Sequence, residues 1–168
     1  NFVVVKVDNK RTRDGVPTLN TDWWNYGGIT RDVNLIELPE EFIDDYFIQL
    51  DPKKANTITG WIKLDGVSTA QNVKVKIPEA EIEKTFATDN TGYCSFTFNA
   101  QLDHWSPESP KLYDVIVETD KDKLVDQIGF RKIEVDGTDI KLNGKSIFLR
   151  GISMHEESPI RGGRAYSI

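Results

Sequence analysis

Cysteine is almost absent from this chain: Cys94 is the only one among 168 residues. No internal disulfide can form, so the fold must rest on apolar burial, and the redox compartment leaves no mark. Cys94, in the run Tyr93 to Phe96, is expected to be a buried free thiol behaving as a small hydrophobe. Long apolar runs are missing too. Nothing approaches the roughly 20 residues of a membrane span, and no secretory leader pattern stands at the first residues. Positive charge is in deficit, 21 Lys and Arg against 27 Asp and Glu, for a net charge of −6. With no dense basic cluster, neither nucleic acid nor an anionic membrane surface is an expected partner.

Helical periodicity is the next absence. No segment of a dozen residues keeps a 3.6 repeat; Pro78 to Lys84 has room for one helical turn at most. Cofactor fingerprints are missing as well. Gly162-Gly163 has no partner glycines at dinucleotide or phosphate-loop spacing, and there is no G-x-S-x-G elbow. His155-Glu156-Glu157 starts like a zinc-protease motif, but Pro159 stands where the second histidine is required, and His104 is remote in sequence. No metal and no cofactor are expected. Carboxylates are plentiful, yet neighbours such as Glu40-Glu41, Asp44-Asp45 and Glu156-Glu157 cannot flank a single glycosidic bond from a strand or loop; they read as a solvated face.

Short strand patterns fill the space left. Apolar residues make up 38% of the chain and charged residues 29%, a globular balance without a disorder signature. Strands are predicted at Phe2 to Val7, Arg31 to Leu38, Phe42 to Leu50, Thr57 to Leu64, Asn72 to Ile77, Glu83 to Ala87, Tyr93 to Asn99, Tyr113 to Thr119 and Leu124 to Val135. Turn chemistry separates them: Asp65-Gly66, Asp89-Asn90-Thr91-Gly92, Asp136-Gly137 and Asn143-Gly144. About 90 residues of such strands predict an all-β, two-sheet sandwich. Its expected core is Phe47, Ile48, Leu50, Ile58, Trp61, Ile62, Val73, Val75, Phe86, Tyr93, Phe96, Phe98, Leu112, Val115, Val117 and Phe130. The chain opens inside a strand pattern and stops at Arg164-Ala165-Tyr166-Ser167-Ile168, so it reads as a piece of a longer protein.

Four motifs occur in order and together resemble glycoside hydrolase family 2, which holds β-galactosidases, β-glucuronidases and β-mannosidases. Asp22 to Leu35 (DWWNYGGITRDVNL) is similar to the signature near the end of that family's sugar-binding domain. His104 to Tyr113 (HWSPESPKLY) resembles its W-S-P-x-x-P-x-L-Y element, and Ile128 to Ile133 (IGFRKI) its G-F-R strand. Leu142 to Lys145 (LNGK), with Phe148 to Glu156 (FLRGISMHE), resembles the L-N-G-K and R-G-x-x-x-H-E start of its catalytic barrel.

The resemblance implies an immunoglobulin-like β-sandwich at 39–135, flanked by remnants of two other domains. Residues 1–38 would be the end of a sugar-binding jelly-roll domain, and 136–168 the start of a (β/α)8 barrel. It implies a scaffold fragment of a retaining exo-β-glycosidase, a β-galactosidase above all. The acid/base and nucleophile glutamates are expected beyond Ile168, leaving the fragment inactive. By resemblance Asp22 and His155 would bind sugar hydroxyls, His155 also supporting an oxocarbenium-like transition state. Trp23 and Trp24 are candidates for the pocket wall and a domain contact; Arg31 and Asp32 read as structural. The implied partners are a β-glycoside and the remaining domains of the parent chain. Exposed ends, Phe2 to Val7 first, would favour a homodimer of the fragment by strand addition or swapping. The competing reading is a stand-alone immunoglobulin-like carbohydrate-binding or adhesion module, which has no use for LNGKSIFLRGISMHE after its last strand.

Overall fold

The computed structural model describes residues 2–20, 26–29, 31–54, 56–155, 157, 158 and 163–165. It divides into two compact units, Glu37–Leu149 and a second made of Asn1–Ile36 with Arg150–Ile168.

The Glu37–Leu149 unit is an immunoglobulin-like sandwich. Strands β1 (Phe42–Leu50), β2 (Thr57–Asp65) and β5 (Tyr93–Asn99) form one sheet in the order β1-β2-β5. The facing sheet has the order β4-β3-β6-β7, from β3 (Asn72–Ile77), β4 (Ile82–Ala87), β6 (Tyr113–Glu118) and β7 (Lys123–Ile128). Every pairing is antiparallel. The chain passes between the sheets after β2, after β4 and after β5, which gives a Greek-key connection. Pro78–Ala80 closes one 3-10 turn between β3 and β4, the single turn its length allows.

Alternation builds the core. In β3, Val73, Val75 and Ile77 point inward while Lys74 and Lys76 point out. Val115 and Val117 of β6 lie beside them on the same inner face, and Ile58, Ile62 and Leu64 of β2 meet them across the interior. Each fully buried aliphatic contributes on the order of 1.5–3 kcal/mol of transfer free energy. Phe86 and Phe96 stack with ring centroids 4.2 Å apart, and Phe98 joins them at 6.0 Å from each. Cys94 is buried on this inner side, as its sequence context predicts.

Four core expectations fail: Phe47, Trp61 and Tyr93 fall on the outer face of their sheet, and Leu112 stands exposed just before β6. Phe47 is 47% exposed, Tyr93 41% and Leu112 44%. A bulge at Asp44 inserts an extra residue opposite β2, with Ile43 facing Leu64 and Asp45 facing Lys63. It reverses the inward parity, so Ile43 is buried ahead of it and Ile48 and Leu50 after it. Phe47 is thereby turned outward opposite Trp61, whose ring stacks on Tyr93 at 6.3 Å. Ile43, Leu64, Ile77, Ala100, Leu102 and Tyr113 complete the core in their place.

Beyond the sandwich the predicted strand Leu124 to Val135 is broken after Ile128. A second meander follows, β8 (Ile133–Asp136), β9 (Asp139–Leu142) and β10 (Lys145–Ser146), in the order β10-β9-β8. The predicted strands Phe2 to Val7 and Arg31 to Leu38 do not form; both runs are irregular. β-Branched composition supplies propensity, but a strand also needs a neighbour for its backbone groups. Among the described residues none pairs with these two runs, and Val3, Val4 and Leu35 are at least 90% exposed. Among the described residues of the second unit, the regular element is the antiparallel pair of β11 (Glu157–Ser158) and β12 (Gly163–Arg164).

Candidate functional site

Of the four predicted sugar contacts, Asp22, Trp23 and Trp24 lie outside the described residues. His155 is described and exposed, in the unit that contains Arg150–Ile168. No geometry therefore connects the four. The motif segments of the sandwich unit are different: the structure brings three of them to one place.

That place is the end of the sandwich where β7 gives way to β8. Tyr113, buried at the start of β6, anchors the loop before it, because the Asp103 N–H donates to the Tyr113 hydroxyl at 3.0 Å. The loop then turns at Ser106-Pro107-Glu108-Ser109, where the Ser106 and Ser109 backbones exchange hydrogen bonds. The Trp105 N–H donates to the Phe130 carbonyl at 2.8 Å. Phe130 is fully buried, its ring edge-on to Tyr113 at 6.0 Å. Gly129 lies against the Trp105 ring; a Cβ there would stand 2.8 Å from Trp105 Cδ1. The position needs glycine for space rather than for backbone angle.

Arg131 follows. Its guanidinium lies 5.6 Å from the Trp105 ring centre, a cation–π contact, and donates to the Gly129 carbonyl at 3.1 Å. Its backbone N–H donates to Gln49 Oε1 at 3.0 Å, while Gln49 Nε2 donates to the Gly129 carbonyl at 3.3 Å. Gln49 thus ties the first strand to the exit of the last. The third segment arrives through Asn143. Its Oδ1 accepts from the Lys132 N–H at 2.9 Å, its Nδ2 donates to the Trp105 carbonyl at 3.0 Å, and its own N–H donates to the Lys132 carbonyl at 2.8 Å.

Beside this junction is a groove of mixed polar and apolar lining, about 400 Å³, with His104, Ser106, Glu108, Asn143, Lys145 and Ile147 among its walls. The Glu108 carboxyl is held below the usual carboxylate range, first by its own backbone N–H, then by the Ser106 hydroxyl, with the Lys145 charge adding. The junction orders backbone and aligns elements. Neither it nor the groove carries a carboxylate pair set across from one another as bond cleavage between sugars needs. Sequence reasoning found Trp105, Phe130, Arg131 and Asn143 as motif members without their task, and it missed Gln49, which no motif marks.

The comparisons with known proteins agree on one family. The family model for glycosyl hydrolases family 2 matches residues 41–131, the sandwich itself. The β-galactosidase of Streptococcus thermophilus is 32% identical over an alignment of 147 positions that covers 80% of this chain and 14% of that protein. A putative β-glucuronidase of Formosa agariphila is 28% identical over 172 residues, covering 94% of this chain and 21% of the relative. Among solved structures, a β-galacturonidase of that family from Eisenbergiella tayi, bound to glycerol, superposes with a TM-score of 0.73. The identity there is 28%, over 96% of this chain and 30% of the neighbour. The chain thus spans between about a seventh and a third of the proteins it matches. Sandwich topology, motif order and the match over residues 41–131 place the chain in glycosyl hydrolases family 2.

Proposed function

We propose that this chain is the non-catalytic scaffold segment of a retaining exo-β-glycosidase of the β-galactosidase type. The observation that carries the reading is the 32% identity to a β-galactosidase over 80% of the chain. In this reading residues 1–38 close a sugar-binding jelly roll, 39–135 are the linking sandwich, and 136–168 begin the catalytic barrel. Asp22 accepts hydrogen bonds from glycone hydroxyls. His155 does the same at the end of the first barrel strand, where barrel active sites are built. Trp23 and Trp24 supply aromatic faces to the ring and to a neighbouring domain. The acid/base and nucleophile carboxylates, about 5–5.5 Å apart in a retaining enzyme, stand beyond Ile168. The exposed Phe2 to Val7 run adds a strand to a neighbouring segment or to a second copy, which sedimentation tests: a monomer at all concentrations removes the second copy.

A second reading has an observation of its own. The solved neighbours include a β-galacturonidase and a β-glucuronidase, and in this second reading the glycone would be a uronic acid. The experiment sets this chain beside the chain extended through the barrel, on chromogenic β-galactoside, β-glucuronide, β-galacturonide and β-mannoside. The β-galactosidase reading expects cleavage of the galactoside by the long form alone. Preference for a uronide moves the assignment to the second reading. Turnover by the 168-residue chain defeats the scaffold reading, and silence of the long form on all four withdraws the activity.

A further inference from the structure

We propose that the Asn143 side chain is the positioning residue of a junction lock that fixes the β9–β10 hairpin to the end of the sandwich. The geometry of its turn comes first. Asn143 (φ 51) and Gly144 (φ 80) are the two left-handed residues joining β9 to β10, the Asn-Gly pairing that a tight hairpin favours. That task requires nothing from the asparagine amide, which a hairpin ordinarily leaves in water. Here both halves of the amide are spent on other segments: Oδ1 on the Lys132 N–H and Nδ2 on the Trp105 carbonyl. Asparagine alone combines a left-handed backbone, one acceptor and one donor at this reach. Aspartate lacks the donor, glycine lacks both groups, and glutamine is longer and less tolerant of positive φ.

The amide thereby closes a circuit. Lys132 follows Arg131, whose N–H is held by Gln49 of β1; Trp105 is held by Phe130 and stacks under Arg131. The hairpin is fixed to the sandwich by this circuit, and the Ile147 N–H, bonded to the Ile140 carbonyl at 2.9 Å, carries the fixation to the residues that follow. The chain therefore leaves from an anchored hairpin and not from a free linker.

Amide hydrogen exchange on this chain decides it, with two substitutions that both tolerate positive φ. In N143G both arms are lost: the Lys132 amide should exchange about tenfold faster or more, the worth of one net hydrogen bond, while β2 and β6 amides stay unchanged. In N143D the acceptor remains, and Lys132 should keep wild-type protection. Unchanged exchange at Lys132 in N143G overturns the lock, as does loss of protection spread equally through β2 and β6. N143D behaving as N143G overturns the assignment of the acceptor arm. Because the readout needs no glycosidase activity, the lock and the functional reading can fail separately.

Discussion

Replacing Tyr113 by phenylalanine isolates one hydrogen bond in the loop that presents Trp105. The side chain is 5% exposed, and its ring meets the Phe130 edge at 6.0 Å and carries Lys111 Nζ 4.7 Å from its centre. Phenylalanine keeps that packing and removes only the oxygen that accepts the Asp103 N–H. An amide left buried without a partner costs about 1–3 kcal/mol. This bond is part-buried and Asp103 is itself exposed, so water can take the freed N–H, which sets the loss at the lower end, about 1 kcal/mol. Tyr113→Ala removes the ring as well and should cost about 3–5 kcal/mol. Urea unfolding followed by far-UV circular dichroism reads the strands directly. With a slope of about 2 kcal/mol per molar urea, Tyr113→Phe should lower the midpoint by about 0.5 M at unchanged slope. A midpoint indistinguishable from wild type would refute the hydrogen-bond argument. A loss as large as that of Tyr113→Ala would refute the claim that packing survives.

Two glycines with similar backbone angles separate steric cost from conformational cost. At Gly66 (φ +76) a Cβ would lie 1.8 Å from the Glu40 carbonyl oxygen, whereas at Gly144 (φ +80) nothing lies within 4 Å; Gly66→Ala should cost at least about 3 kcal/mol and Gly144→Ala about 1–2, in thermal melts. The Cys94 thiol is buried, and burial pushes its pKa up, so the folded chain should resist a disulfide-exchange reagent at pH 8 and react fully in urea; rapid stoichiometric labelling of the native chain contradicts this. Tyr46 is pushed from 10.0 up to about 12, first by burial and then by its hydrogen bond to Asp126 Oδ2 at 2.6 Å. The folded state therefore holds this proton longer than the unfolded one, and the contribution is complete below pH 10 and lost between pH 10 and about 12. Absorbance titration should show a late phenolate signal that disappears in Tyr46→Phe.

The strands of the sandwich were legible because each is a short apolar alternation closed by turn residues. Tyr93–Asn99 and Asn72–Ile77 fall where the pattern puts them. What the pattern could not carry was parity and partnership. The Asp44 bulge moves Phe47 to the outer face, and no local signal announces it: the residue is apolar and sits in a strand in either register. Phe2 to Val7 is the reverse case, a strong β-branched run that forms no strand because propensity does not supply a partner. The break after Ile128 follows from Gly129 and Arg131, whose backbone groups go to Gln49 rather than to a ladder, and a side-chain acceptor on a distant strand leaves no trace in local sequence.

The motifs show a different limit. Three of the four segments that resemble the family meet at one junction, where Trp105, Gly129, Arg131 and Asn143 satisfy one another's backbone groups. Such groups demand particular residue types: a donor and acceptor at positive φ, a missing Cβ under an indole, a planar cation over a ring. These demands depend on the fold and not on the sugar. A resemblance carried by them identifies the scaffold securely and says little about which glycone is cleaved. That choice rests with groups that touch the ring, for which this chain offers Asp22 and His155 as proposals. The relatives divide accordingly: β-galactosidase in one comparison and β-galacturonidase in another, over the same sandwich. Substituting junction residues should therefore alter how the scaffold holds together and leave glycone preference unchanged, whereas, under the proposed function, substitutions at Asp22 or His155 should weaken glycoside binding by the chain extended through the barrel.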